Sequence, residues 1–278
     1  MKLSILIPTD FSENAWSAIA YTLKLYSNQS CTIYFLHAWS VTPSNTRTYI
    51  TSNYIDTLKE DAEKQLVGLK NKVKSTFENP NHIFQTIFST KKLQDAIDIA
   101  IKKHDINLIS MGTKGATKSI KIFFGSNTVN IIKKTKLCPM LVVPDKFEFT
   151  EPKQVAFPTD FNRFYGDELQ PLKDITKLYN SKIRVVHICK EENLTEAQNY
   201  NLAMLKAYLE DYPHSFHWQS NDAKKTEGIN DFIQKHDINI LALINYEHSF
   251  IENLVNEPII KKIGSYPTIP LLIIPCLR

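Results

Sequence analysis

Glycine is scarce in this chain, with seven in 278 residues. Three of the seven, Gly112, Gly115 and Gly125, nonetheless fall within one stretch, "GTKGATKSIKIFFGSN" at 112–127. Such a cluster in a glycine-poor chain marks either backbone that comes close to a ligand or a flexible turn between two packed elements. Cysteine is sparse too, and Cys31, Cys138, Cys189 and Cys276 stand far apart with no CxxC pair. That spacing argues against a disulfide framework or a metal site, and for reduced thiols in a cytoplasmic protein. Long apolar runs are missing: "LLII" before Pro275 is far too short to cross a bilayer, which argues against a membrane protein. The opening "MKLSILIPTDF" reads as a buried first strand rather than a signal peptide, because Pro8 and Asp10 interrupt its apolar run. Basic helices and aromatic-basic interleaving are also absent, which ranks nucleic acid last among the partners.

What is present is ordinary for a soluble globular protein, with 43% apolar and 22% charged residues. The length suits two domains of about 140 residues. Charge divides unevenly between the halves. Residues 1–150 carry 19 Lys and Arg against 12 Asp and Glu, whereas residues 151–278 carry 14 against 17. The positive surplus lies with the glycine cluster.

The chain repeats itself. "ILIPTDFSENAWSAI" at 5–19 returns as "VAFPTDFNRFYGDEL" at 155–169, and "FLHAW" at 35–39 returns as "VVHIC" at 185–189. "IKKHDINLISM" at 101–111 returns as "IQKHDINILAL" at 233–243, and "CPMLVVP" at 138–144 as "IPLLIIP" at 269–275. Four matched segments in one order mean two copies of a domain, 1–146 and 153–278, joined through "DKFEFTEPK".

Within the first copy, residues 2–8, 31–38, 83–88, 106–111 and 139–144 are short apolar runs that read as strands. Between 54 and 77 the apolar residues Ile55, Leu58, Ala62, Leu66, Leu69, Val73 and Phe77 step by three or four, the period of a helix with one buried face. Residues 12–26, 92–103 and 126–135 also read as helices. Strand alternating with helix predicts a parallel sheet covered on both faces, with ligands bound where the strands end.

The glycine loop begins at the end of the fourth strand and closes where the 126–135 helix opens. Exposed amides and the dipole at that helix start suit an anion, and Ser126 and Asn127 are natural caps that also serve as phosphate donors. Lys114, Lys118 and Lys121 add positive charge. The plainer alternative is a flexible loop with an ordinary cap. Asp10, directly after the first strand, can accept hydrogen bonds from ribose or a base, or can cap the first helix; Asp160 has the same place in the second copy. His37 and His187 read as packed strand-end residues, and His104 and His236, in the repeated KHDIN, as helix C-terminal caps. Trp16, Tyr21 and Trp39 read as packing residues.

"PTDFS" after the first strand, together with G-x2-G-x9-G-S after the fourth, resembles the universal stress protein family, in its tandem two-domain form. The resemblance covers the whole chain. It implies an adenine nucleotide alpha hydrolase-like α/β fold: two open-twisted parallel five-stranded sheets of strand order 3-2-1-4-5. It implies ATP, with or without Mg2+, at the strand ends of the first copy. The site residues carried over are Pro8, Thr9, Asp10, Ala38, Met111, Gly112, Gly115, Gly125, Ser126 and Asn127. Asp10 would meet the adenosine, Ala38 the adenine, Gly112 and Gly115 the ribose and phosphates, and Gly125 to Asn127 the phosphate chain. The second copy departs from the pattern. It reads "INYEHSFIENLVNEPIIKK", without glycine and with Glu247, Glu252 and Glu257, which predicts that it binds no nucleotide.

The family also implies that the two last strands pair within the chain, with room for a homodimer. The expected function is nucleotide-dependent regulation in a stress response, with no catalytic or metal-ligating residue assigned. Slow ATP hydrolysis or phosphotransfer, and a nucleotide-free scaffold, are the alternatives.

Overall fold

The computed structural model describes residues 3–39, 52–113, 125–189, 194–220, 225–246 and 269–276. They form two compact units, Met1–Cys138 and Pro139–Arg278. The first alternates β1 (Leu3–Pro8), α1 (Glu13–Leu25), β2 (Cys31–Ala38), α2 (Ser52–Thr76), β3 (His82–Ser89), α3 (Leu93–His104), β4 (Leu108–Gly112) and α4 (Ser126–Lys134). Its strands lie in the order β3-β2-β1-β4, all parallel. Ile5, Leu6 and Ile7 are all wholly buried, so neighbouring residues that point to opposite faces are both covered. A parallel sheet sandwiched by helices requires that, and it is why these strands read as unbroken apolar runs. In α2, Ala62, Leu66 and Val73 form the buried stripe that the spacing predicts.

The second unit contains β5 (Met140–Val143), β6 (Gln154–Pro158), a 3-10 turn (Gly166–Leu169), α5 (Gln170–Tyr179), β7 (Lys182–Cys189), α6 (Glu196–Tyr208), β8 (His214–Ser220), α7 (Lys225–Lys235), β9 (Ile240–Asn245) and β10 (Leu271–Pro275). Its order is β5-β10-β9-β6-β7-β8. The last five of these strands reproduce, in their own numbering, the expected 3-2-1-4-5 order. β5 groups with this unit and pairs antiparallel with β10, Leu141 opposite Leu272. The apolar edges of both strands are thereby satisfied.

The repeated KHDIN is a fold device in each unit. Asp105 and Asp237 each adopt φ 49°, the left-handed conformation that ends a helix. Ile106 and Ile238 then drop into the core. The Asn107 side-chain oxygen accepts from the Ser4 amide at 2.8 Å, and that of Asn239 from the Gln154 amide at 2.9 Å. The motif thus ties the end of a helix to the start of the first strand. His104 packs its ring against Tyr34 at 4.7 Å, and burial, then Lys103, lowers its pKa.

Candidate functional site

At the carboxyl end of β1 the chain makes a tight corner. The buried Thr9 donates its amide to Leu36 O at 2.8 Å, and its hydroxyl accepts from the Phe11 amide at 3.0 Å. This holds Phe11 at φ 62°, a strained value for a non-glycine residue. His37 Nδ1 donates to Thr9 O at 2.8 Å, and its ring lies 4.7 Å from that of Phe11. His37 therefore belongs to the corner. Asp10 is exposed at the tip. Its carboxylate accepts from the Ser12 amide at 3.1 Å, while the Ser12 hydroxyl accepts from the Ala15 amide at 3.2 Å. Ser12 is the helix cap and Asp10 braces it, so both readings of the aspartate's position remain open to one residue.

The other wall of the edge is β4 with the start of α4. The Gly125 amide donates to Thr113 O, and the buried Thr128 hydroxyl donates to Gly112 O at 3.0 Å. These two bonds bring Met111 and Gly112 together with Gly125, Ser126 and Asn127. The cap of α4 is Gly125, not Ser126 or Asn127, and no side chain caps the helix. Ser126 and Asn127 are instead its exposed first residues, so the first-turn amides lack a side-chain acceptor. An anion placed there meets first-turn N–H groups and the positive end of the helix. The edge thus offers anion donors on one wall and a carboxylate acceptor on the other. Gly115 and the lysines at 114, 118 and 121 lie outside the described residues.

Gly112 has a different reason for being glycine. A Cβ there would lie 2.5 Å from the Asn14 amide nitrogen and 2.7 Å from the Asn14 carbonyl. The first turn of α1 packs so closely on β4 that no side chain fits. Asn14 is itself buried, with neither side-chain polar atom hydrogen-bonded. Its role is not visible in the one-dimensional motif, because the contact joins residues far apart in the chain.

The second unit repeats the corner and then fills the edge. Thr159 bonds Val186 O at 2.9 Å and the Phe161 amide at 3.0 Å, Phe161 stands at φ 56°, and His187 Nδ1 donates to Thr159 O at 2.8 Å. Beyond it, Arg163 forks onto both oxygens of Glu168 at 2.6 Å and donates to Cys276 Sγ at 3.0 Å. The guanidinium also lies over the rings of Tyr165 and Tyr246, at 5.3 and 5.6 Å. From α6, Gln198 donates to Asp160 O at 2.8 Å. The offset that aligns the two KHDIN motifs puts Ile244 opposite Gly112. A side chain fits there because the second unit has no counterpart to the first turn of α1: Gly166, at φ 51°, leads into the 3-10 turn, and α5 starts only at Gln170. Glu247, Glu252 and Glu257 lie outside the described residues.

The sequence model of the universal stress protein family matches residues 1–144. The chain belongs to the universal stress protein family. A universal stress protein from Archaeoglobus fulgidus aligns at TM-score 0.69 and 17% identity, covering 98% of this chain and 97% of that one. A functionally unknown protein from Pseudomonas aeruginosa aligns at 0.56 and 13%, covering 98% and 92%. At such identities the likeness is one of fold, and it extends over both copies. A universal stress protein solved in complex with cAMP covers 52% of this chain and 98% of its own, at 15% identity and TM-score 0.37. No curated protein matches the chain.

Burial, with help from Asp98, pushes the Cys138 thiol up to about 12, so it stays protonated at neutral pH. Among the described residues no group of three or more His, Cys, Asp or Glu gathers as a metal site, and no helix is long and apolar enough to cross a membrane.

Proposed function

We propose that the first unit of this universal stress protein binds an adenine nucleotide, ATP, at the edge built by β1, β4 and α4. The observation that carries the reading is the uncapped, exposed start of α4, tied by hydrogen bonds to the end of β4 on the edge where Asp10 is exposed. The phosphates would lie on the amides of Ser126 and Asn127 beside Gly125, with Gly115 and Met111 to Gly112 as backbone neighbours. Asp10 would accept from the ribose, and Pro8, Thr9 and Ala38 would frame the nucleoside. Any accompanying Mg2+ would sit on the phosphates. Gly112 also supports this site by admitting α1 against β4.

The second copy binds none, because Arg163, Glu168, Tyr165 and Tyr246 engage one another where a ligand would enter. The duplicated domains span 1–146 and 153–278, and β5, in sequence the last strand of the first copy, joins them by pairing with β10. The protein works in the cytoplasm as a nucleotide-dependent regulator, its nucleotide state read by a partner.

The test is to purify the chain, release its nucleotide and count it. One adenine nucleotide per chain, lost in Gly125→Val, is expected. No nucleotide from cells or on titration with ATP overturns the site, and two per chain overturn the assignment to the first unit alone.

A further inference from the structure

The opposite, amino-terminal end of the second unit's sheet holds an open cleft of about 730 Å3. Lys153 stands at the mouth before β6, Arg184 projects from β7, and Lys235 with His236 ends the α7 side. Among the described residues, Glu151 and Asp237 are the only carboxylates on its lining. Arg184 makes no ion pair with either. Its Nε donates to Gln154 Oε1 at 2.7 Å and its Nη1 to His217 Nε2 at 3.3 Å, both neutral acceptors. The Ser215 hydroxyl also meets His217 Nε2, at 2.8 Å. Because Arg184 can only donate, that nitrogen is an acceptor and His217 is neutral. Its ring centroid lies 4.8 Å from that of His236, the two planes tilted by 51°.

Burial, then His236, Arg184, Lys182 and Lys235, pushes His217 down to about 4, and burial with Arg184 and Lys235 lowers His236. Desolvation is the larger cause, and the cations act in the same direction. This unit carries net negative charge in sequence, so a cationic cleft within it is a local arrangement and not an overall surplus.

The first unit lacks the arrangement. Strand register puts Tyr34, Gln85 and Ile87 where the second unit has Arg184, Ser215 and His217. The same scaffold position holds a tyrosine packed against His104 in one copy and a cationic, donor-rich cleft in the other.

We propose that this cleft binds a small phosphorylated anion, with the free guanidinium N–H groups of Arg184 and the ammonium groups of Lys153 and Lys235 as its donors. Three cations against two carboxylates leave the lining with a net positive charge, and all three cations are donors. The cleft volume falls in the range of small-molecule sites. A planar guanidinium beside ammonium groups is the donor set that phosphate oxygens take. Nothing in this proposal requires the nucleotide site of the first unit.

The probe is pyrophosphate, titrated at constant ionic strength into the whole chain while the imidazole NMR signals are followed. Saturable shifts of His217 and His236 are expected, with affinity falling roughly tenfold in Arg184→Gln, the loss of a charge-assisted hydrogen bond. Lys235→Gln, at an exposed position without bonds to disturb, should weaken binding in the same direction and covers the case in which Arg184→Gln does not fold. Gly125→Val should leave these shifts intact, which separates this cleft from the first unit's edge. Absent or non-saturable shifts overturn the proposal, as do unchanged affinities in both charge variants. Shifts produced by a short oligonucleotide but not by pyrophosphate also overturn it, in favour of nucleic acid.

Discussion

The two units build the same corner after their first strand and surround it differently. In the first, Asp10 is exposed beyond Phe11, and a helix start without a side-chain cap stands on the neighbouring wall. In the second, Gln198 donates to Asp160 O, Arg163 donates to Glu168, and the Tyr165 hydroxyl pairs with that of Thr159. A shared motif, Pro-Thr-Asp-Phe, therefore encodes a backbone turn. Whether that turn faces a ligand is decided by residues outside it.

Exchanging the residues at the Gly112 and Ile244 positions is the strongest way to break this comparison. Gly112→Ile drives a side chain into Asn14, including its carbonyl, and should cost about 3 kcal/mol or more. Ile244→Gly leaves a void under a buried strand end, and should cost about 3–5 kcal/mol. Urea denaturation of each variant checks both. If either is neutral, close packing of α1 on β4 does not explain where glycine occurs. Combining Gly112→Ala with Asn14→Ala should recover only part of the loss, because the Asn14 carbonyl remains.

Next in size is Arg163→Gln. The Glu168 side chain is 4% exposed, and removing its partner strands a buried carboxylate, costing about 2–4 kcal/mol. Adding Glu168→Gln should restore most of the stability. Neither variant should gain nucleotide, as measured by binding stoichiometry, because the sequence at 244–262 holds no glycine to match Gly115 and Gly125.

A smaller effect is expected at the tip of the first corner. Asp10→Asn keeps an acceptor for the Ser12 amide, so stability should change by less than about 0.5 kcal/mol. Nucleotide affinity should fall roughly tenfold with loss of a charged acceptor, measured by calorimetry. The smallest effect is one of pH. His217 is held near 4 when folded against an ordinary 6.5, so between these values the unfolded chain binds the extra proton. Stability of the second unit should be full above about pH 6.5 and decline toward pH 4. Thermal melts of His217→Gln should show a flatter acid limb.

Most of the fold was legible because its signals are local. Buried parallel strands read as apolar runs, the α2 stripe reads at helical period, and β4 and α4 fall where the glycines punctuate the chain. The repeats were legible as repeats, but not their meaning: Asn107 and Asn239 serve a strand start, and His37 and His187 serve a turn. The candidate site was only half legible. Ser126 and Asn127 read as caps because their side chains favour that role, yet the chain places Gly125 there through its bond to Thr113. Asn14 against Gly112, and Arg163 with Glu168 and Cys276, are contacts of the folded chain that no spacing rule announces.

β5 raises a question of where the chain can be divided. The duplication breaks near residues 146–153, but the strand at Met140–Val143 lies against β10. A fragment cut at the repeat boundary, starting at 153, would leave Leu271–Pro275 with a bare apolar edge and should self-associate. One cut after Cys138 would carry its own covering strand. A gene for the second copy alone would therefore have to borrow its first residues from the copy before it.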